Sequence, residues 1–86
     1  MKSLIKNYIE LLTVEKLNDF GIKNNILLTN NELEFLLSLV KENYEDILDN
    51  EDKYLNILKE NFSEDKYIKI KDLFLYYKNK YKGYLF

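Results

Sequence analysis

Residues 28–33 read Leu28-Thr29-Asn30-Asn31-Glu32-Leu33, and these six residues hold two helix-starting devices at once. Thr29 and Glu32 stand at capping-box spacing: the threonine hydroxyl can accept the Glu32 amide, while the Glu32 carboxylate reaches back to the Thr29 amide. Leu28, just before the cap, is placed to staple against Leu33 one turn inside. A helix therefore begins at Asn30, and Leu33, Leu36, Leu37, Val40 and Tyr44 fall on one face of it. Upstream, Asn24 and Asn25 read as a turn, and Ile26 to Leu28 as a short buried connector.

The same punctuation repeats in both directions. Towards the N-terminus, Thr13 is an N-cap with Glu15 in the first turn, opening a helix that runs through Leu17 and Phe20 to about Asn24. Gly21 costs this helix roughly 1 kcal/mol against alanine, so it either admits another backbone beside Phe20 or marks an early helix end. Before it, Leu4, Ile5, Tyr8, Ile9 and Leu12 form the stripe of a first helix over about Ser3 to Leu12. Downstream, Asp49 or Asn50 caps a helix ending at Asn61, with Glu51 and Asp52 in its first turn and Tyr54, Leu55, Leu58 and Phe62 as its apolar side. Ser63 opens the last helix, with Phe62 placed to staple against Tyr67, and Gly83 stops it after about Lys82. The chain has no proline and two glycines, and its apolar residues recur at threes and fours. The fold class that follows is all-α, a compact bundle of about five short helices with the C-terminal helix central. Residues 1–86 form a single domain, with 77–86 as a projecting tail of lysine and tyrosine.

Composition narrows function. There are 13 lysines and 15 acids, no histidine, no cysteine, no tryptophan and no arginine. The commonest general base, the thiol nucleophile and the usual zinc ligands are therefore missing. The acids Glu42, Glu45, Asp46, Asp49, Glu51 and Asp52 do not fit an EF-hand: counting from Asp46, the third position is Leu48, the sixth Glu51 and the twelfth Ile57. Gly21 and Gly83 lie too far apart for a phosphate loop, and Ser3, Ser38 and Ser63 have no histidine to activate them. A paired-acid glycosidase needs a sugar-sized cleft that so short a chain can hardly enclose. The expectation is a protein that is not an enzyme, with no metal, cofactor or small-molecule substrate. A chain without cysteine, without a signal-peptide core near its start and without an apolar run of membrane length reads as cytoplasmic.

Charge is uneven along the chain. Residues 1–65 carry seven lysines against fourteen acids, a charge of −7, whereas 66–86 carry six lysines against Asp72 alone, a charge of +5. Such asymmetry points to an acidic or nucleic-acid partner, or to mutual attraction of the two parts in the folded domain. The last helix also has more apolar residues than one face needs. Tyr67, Ile70, Leu73, Phe74, Tyr77, Tyr81 and Tyr84 form the core stripe, leaving Ile68 and Leu75 on another side bordered by Lys71, Lys78 and Lys82. That strip suits an acidic amphipathic helix or a second copy of this chain, so Ile68, Lys71, Leu75 and Lys78 are the candidate partner-binding residues. The competing reading is a nucleic-acid face of Lys69, Tyr76, Lys78, Lys80 and Lys82, with the tyrosine stacking bases and the lysines neutralising phosphates. Attachment to an anionic membrane by the tail, with Leu85 and Phe86, is opposed by the acidic body.

The order of signals resembles a known family. Thr13-Val14-Glu15-Lys16-Leu17, Ile26-Leu27-Leu28-Thr29-Asn30-Asn31-Glu32, Ile47-Leu48-Asp49-Asn50-Glu51-Asp52, Leu58-Lys59-Glu60, Phe62-Ser63-Glu64 and Leu73-Phe74 carry the likeness over about residues 8–76. The family is a set of short cytosolic helical proteins of low-GC Gram-positive bacteria, catalogued as a domain of unknown function. The resemblance implies a helical fold and no activity. Gly21, where an alanine is natural, and the tail beyond Tyr77 depart from its pattern.

Overall fold

The computed structural model describes the backbone of residues 2–80 and the side chains from residue 6, other than those of 48, 77 and 80. Five helices follow one another: α1 Lys2–Glu10, α2 Val14–Lys23, α3 Asn30–Asp49, α4 Glu51–Asn61 and α5 Glu64–Lys80. There is no strand among the described residues. The radius of gyration, 12.4 Å, is close to the about 12 Å of a compact domain of this length, so the helices form a small all-α bundle.

The caps are where the sequence places them. Thr13 accepts the Lys16 amide at 3.2 Å, and Thr29 accepts the Glu32 amide at 3.2 Å while Glu32 Oε1 accepts the Thr29 amide at 2.8 Å. Ser63 Oγ accepts the Lys66 amide at 3.4 Å at the start of α5. Asn50 holds the cap position of α4 but makes no capping bond through its side chain, which donates instead to Asp46 Oδ1 at 2.6 Å. The first helix stops at Glu10, short of Leu12, and two cations occupy its open end. Lys41 of α3 donates to the Glu10 carbonyl and Lys16 of α2 to the Leu11 carbonyl, each at 3.2 Å, where a helix terminus favours positive charge.

Of the two readings of Gly21, the close approach of another backbone is the one found; the helix itself runs on to Lys23. The Ile26 amide returns to the Gly21 carbonyl at 2.8 Å and the Asn25 amide to the Ile22 carbonyl at 3.1 Å, the paired bonds of a Schellman ending. Asn25 takes the left-handed conformation that this ending demands, with φ 60°. The chain then doubles back so tightly that the Ile26 carbonyl oxygen would lie 2.9 Å from a Cβ on residue 21. Ile26 is buried, but the connector as a whole is not. Leu27 is 75% exposed and Leu28 half-buried, because an extended stretch points successive side chains to opposite sides.

The central helix is α3, not the C-terminal helix expected from its richness in apolar residues. At 20 residues α3 spans about 30 Å, close to the 32 Å long axis of the molecule, and it packs against α1, α2 and α4. The principal packing of α5 is against α4. Among the described residues the buried apolar set is Leu12, Ile26, Leu33, Tyr54, Leu58 and Phe62, and α5 supplies none of it. Phe62 meets Phe35 of α3 edge-on, with ring centroids 5.9 Å apart. Tyr8, expected inside, is 65% exposed: the inward contacts here are half-buried Ile9 and, beyond the end of α1, buried Leu12, which leaves the tyrosine at the rim.

The acidic stretch forms the α3–α4 joint. The Tyr54 hydroxyl donates to Asp46 Oδ2 at 2.5 Å, and Asn50 and Lys53 converge on the same carboxylate. These bonds, that from Tyr54 foremost, hold the Asp46 carboxyl below its ordinary range. In return the carboxylate, together with burial, pushes the Tyr54 phenol up to about 12.

Candidate interaction surface

Four lysines of α5 are engaged within the chain, and their partners decide what the helix presents. Lys66 Nζ lies 2.8 Å from Glu32 Oε1, so the acid that closes the α3 capping box also receives a cation from α5. Partial burial works against ionisation of Glu32, but the hydrogen bonds from Lys66 and the Thr29 amide outweigh it and hold the carboxyl below its ordinary value. Lys69 pairs with Asp65 at 3.5 Å and donates to the Asn25 carbonyl at 3.3 Å. Lys78 forms an ion pair with Glu51, the first residue of α4, and both side chains are largely covered. Lys71 stands over the Tyr67 ring, 6.0 Å from its centroid.

The expected partner face is therefore only partly assembled. Ile68 is 47% exposed and lines an open depression with Lys59, Glu64 and Tyr67, where the end of α4 meets the start of α5. Leu75, seven residues further on, is half-buried, and so is Lys71. Lys78 is engaged within the fold. Lys59 was not legible as a rim residue, since only the α4–α5 angle brings it to Ile68, whereas Glu64 stands one turn before Ile68 on α5 itself.

The nucleic-acid face fares differently. Tyr76 is 58% exposed, but Lys69 and Lys78 are both matched with acids of the same chain. The Lys80 side chain, Lys82 and the other residues of the expected tail beyond residue 80 lie outside the described residues. Up to Lys80 the chain is a continuation of α5 rather than a separate tail.

A polar cleft is bordered by Asp49, Asn50, Glu51, Asp52, Lys53 and Lys78. Within it the Glu51–Lys78 pair already balances one acid with one cation. Large exposed apolar side chains also include Leu11 and Ile22, one just beyond α1 and the other near the end of α2, and periodicity gave no sign of either. Among the described residues, no helix is long and apolar enough to cross a membrane. Compared with family models, curated proteins and solved structures, the chain matches none.

Proposed function

We propose that this chain is a small non-enzymatic interaction module of the cytoplasm, which binds another protein or a second copy of itself through the Ile68 and Leu75 face of α5. The observation that carries the reading is Ile68 itself: a β-branched aliphatic side chain, 47% exposed, in a depression shared with Lys59, Glu64 and Tyr67, the last of which carries Lys71 over its ring. An apolar contact with Lys59 and Lys71 near it outnumbering the single acid Glu64 suits an acidic amphipathic helix. A nucleic-acid role for Lys69, Tyr76, Lys78, Lys80 and Lys82 is the weaker reading, because two of these lysines spend their charge on Asp65 and Glu51.

The test is sedimentation velocity of wild type and Ile68→Glu over a hundredfold concentration range, with circular dichroism as the check on folding. Leu75→Glu is the companion variant, read with more attention to stability because Leu75 is half-buried. Self-association lost in Ile68→Glu at unchanged helicity supports the homo-oligomeric form. Where wild type is monomeric, titration of a labelled acidic amphipathic peptide takes its place, and equal binding by both proteins rejects the face. Anisotropy of labelled single-stranded and duplex oligonucleotides at about 50 and 200 mM salt addresses the other reading. Salt-sensitive binding that weakens in Tyr76→Ala would move the assignment to nucleic acid.

A further inference from the structure

We propose that α5 is an electrostatically latched arm: it docks on the α1–α4 body through lysine clamps and leaves it as a unit when those clamps are screened. The inference concerns how α5 is held and does not depend on what the Ile68 face binds.

Three observations converge on it. First, none of the described α5 side chains enters the buried set; Tyr67, Ile70, Leu73, Phe74 and Leu75 are all half-buried. Apolar residues spread over two sides of one helix cannot all face the same neighbour, so each is covered only in part. Secondly, the principal packing of α5 is against α4, the helix it follows after Phe62 and Ser63. Thirdly, three lysines tie it to residues before it: Lys66 to Glu32, Lys69 to the Asn25 carbonyl and Lys78 to Glu51.

The placement of the two charge clamps is what makes a latch. Lys66 and Lys78 are twelve residues apart, about 18 Å along the helix axis, so they grip α5 near both ends. Their acids stand in the first turns of α3 and α4, where the helix dipole already favours a carboxylate. Both clamps keep partial contact with solvent, with side-chain exposures of 30% and 20% for Lys66 and Glu32 and 26% and 23% for Lys78 and Glu51. Pairs that solvent still reaches are weakened by added salt, whereas the apolar contacts inside the α1–α4 body are not. Ionic strength thus acts chiefly on α5: in the body it also reaches the exposed Lys53–Asp46 pair, but there Asp46 keeps its bonds from Tyr54 and Asn50 and the apolar contacts stay. Undocking bares Tyr67, Ile70, Leu73 and Phe74 together, a much larger apolar surface than Ile68 offers in the docked form.

The experiment is hydrogen exchange with mass spectrometry on the full chain at about 20 and 500 mM sodium chloride, with wild type compared to a Lys66→Met, Lys78→Met double variant that keeps the apolar stems. In wild type, amides of residues 68–80 should exchange about fivefold faster at high salt, while those of α3 and α4 change less than about twofold. In the double variant, α5 should already exchange fast at low salt and lose the salt response. Uniform protection of α3, α4 and α5 at both salts would overturn the latch, as would a salt response kept by the variant. Protection of α3 reports whether the variant is folded; where it is not, the wild-type comparison alone decides.

Discussion

Glu32 and Lys66, 34 residues apart in sequence, meet through the same carboxylate oxygen that closes the α3 capping box, with 2.8 Å to the Lys66 ammonium and 2.8 Å to the Thr29 amide. One side chain therefore starts a helix and receives another. Glu32→Gln keeps an acceptor for Thr29 and loses the ion pair, and should cost below about 1 kcal/mol. Glu32→Ala loses both and should cost about 1–2 kcal/mol by urea unfolding. The carboxyl is held below its ordinary value of 4.5, so its contribution is complete above that pH and fades as pH falls through the lower, folded value. Unfolding free energies of wild type and Glu32→Gln should accordingly converge in acid. Curves that stay parallel would contradict the assignment.

Gly21→Ala should destabilise the protein by about 1–3 kcal/mol, although alanine is favoured in helices by roughly 1 kcal/mol. The sign is set by the Ile26 carbonyl oxygen, 2.9 Å from where the new methyl would sit; this is backbone and cannot rotate away. Thermal and urea unfolding check it. A neutral or stabilising result would mean that the turn at residues 24–26 relaxes freely.

Asn25 separates conformational strain from side-chain chemistry. Because its φ is 60°, Asn25→Ala should cost about 1 kcal/mol, while Asn25→Gly should stay within roughly 0.5 kcal/mol of wild type as relief of strain and added chain freedom offset each other. The contact with Lys69 goes through the Asn25 carbonyl, which both variants retain. Equal losses in the two variants would show that the asparagine side chain, not its backbone, carries the effect.

Tyr54 and Asp46 set the response to alkali and acid at the α3–α4 joint. The phenol is raised from 10.0 to about 12, so the stability it brings is complete below pH 10 and is lost as pH rises through about 12. Asp46 is lowered, so its share is complete above its ordinary value of 3.8 and is lost as pH falls through the folded value. Ultraviolet titration of phenolate absorbance should show one tyrosine ionising late, and Tyr54→Phe should remove that late step while lowering stability at neutral pH. A titration unchanged in Tyr54→Phe would place the late tyrosine elsewhere.

Local devices were legible in the sequence, and tertiary choices were not. Thr13, Thr29, Glu32 and Ser63 announce helix starts because a cap is settled within four residues of chain. Gly21 announced an exception to helix propensity, and its close-approach reading describes the turn, whereas the helix does not end early but runs on to Lys23. The central place went to α3 instead of α5 because counting apolar residues on a helix measures what it can offer, not how much neighbouring surface exists to cover it. Tyr8 fails for the same reason, since periodicity assigns a face while burial depends on where the next helix crosses; Leu27 fails because the extended connector turns successive side chains to opposite sides. The opposite charges of residues 1–65 and 66–86 were plain, and mutual attraction within the domain was one of their readings. That Lys66 takes Glu32 and Lys78 takes Glu51 follows only from the course of α5 over the first turns of two other helices.

The helix order also governs the speed of assembly. Packing runs α2 on α3, α3 on α4 and α4 on α5, with α1 on α3 the principal pairing that skips a helix, so nearly every contact closes a short loop. Chains with such local topology fold in microseconds to milliseconds, since little loop entropy is spent before contacts form. From α3 onward each helix, on emerging from the ribosome, finds its docking surface already made, and among the described residues every buried side chain precedes α5.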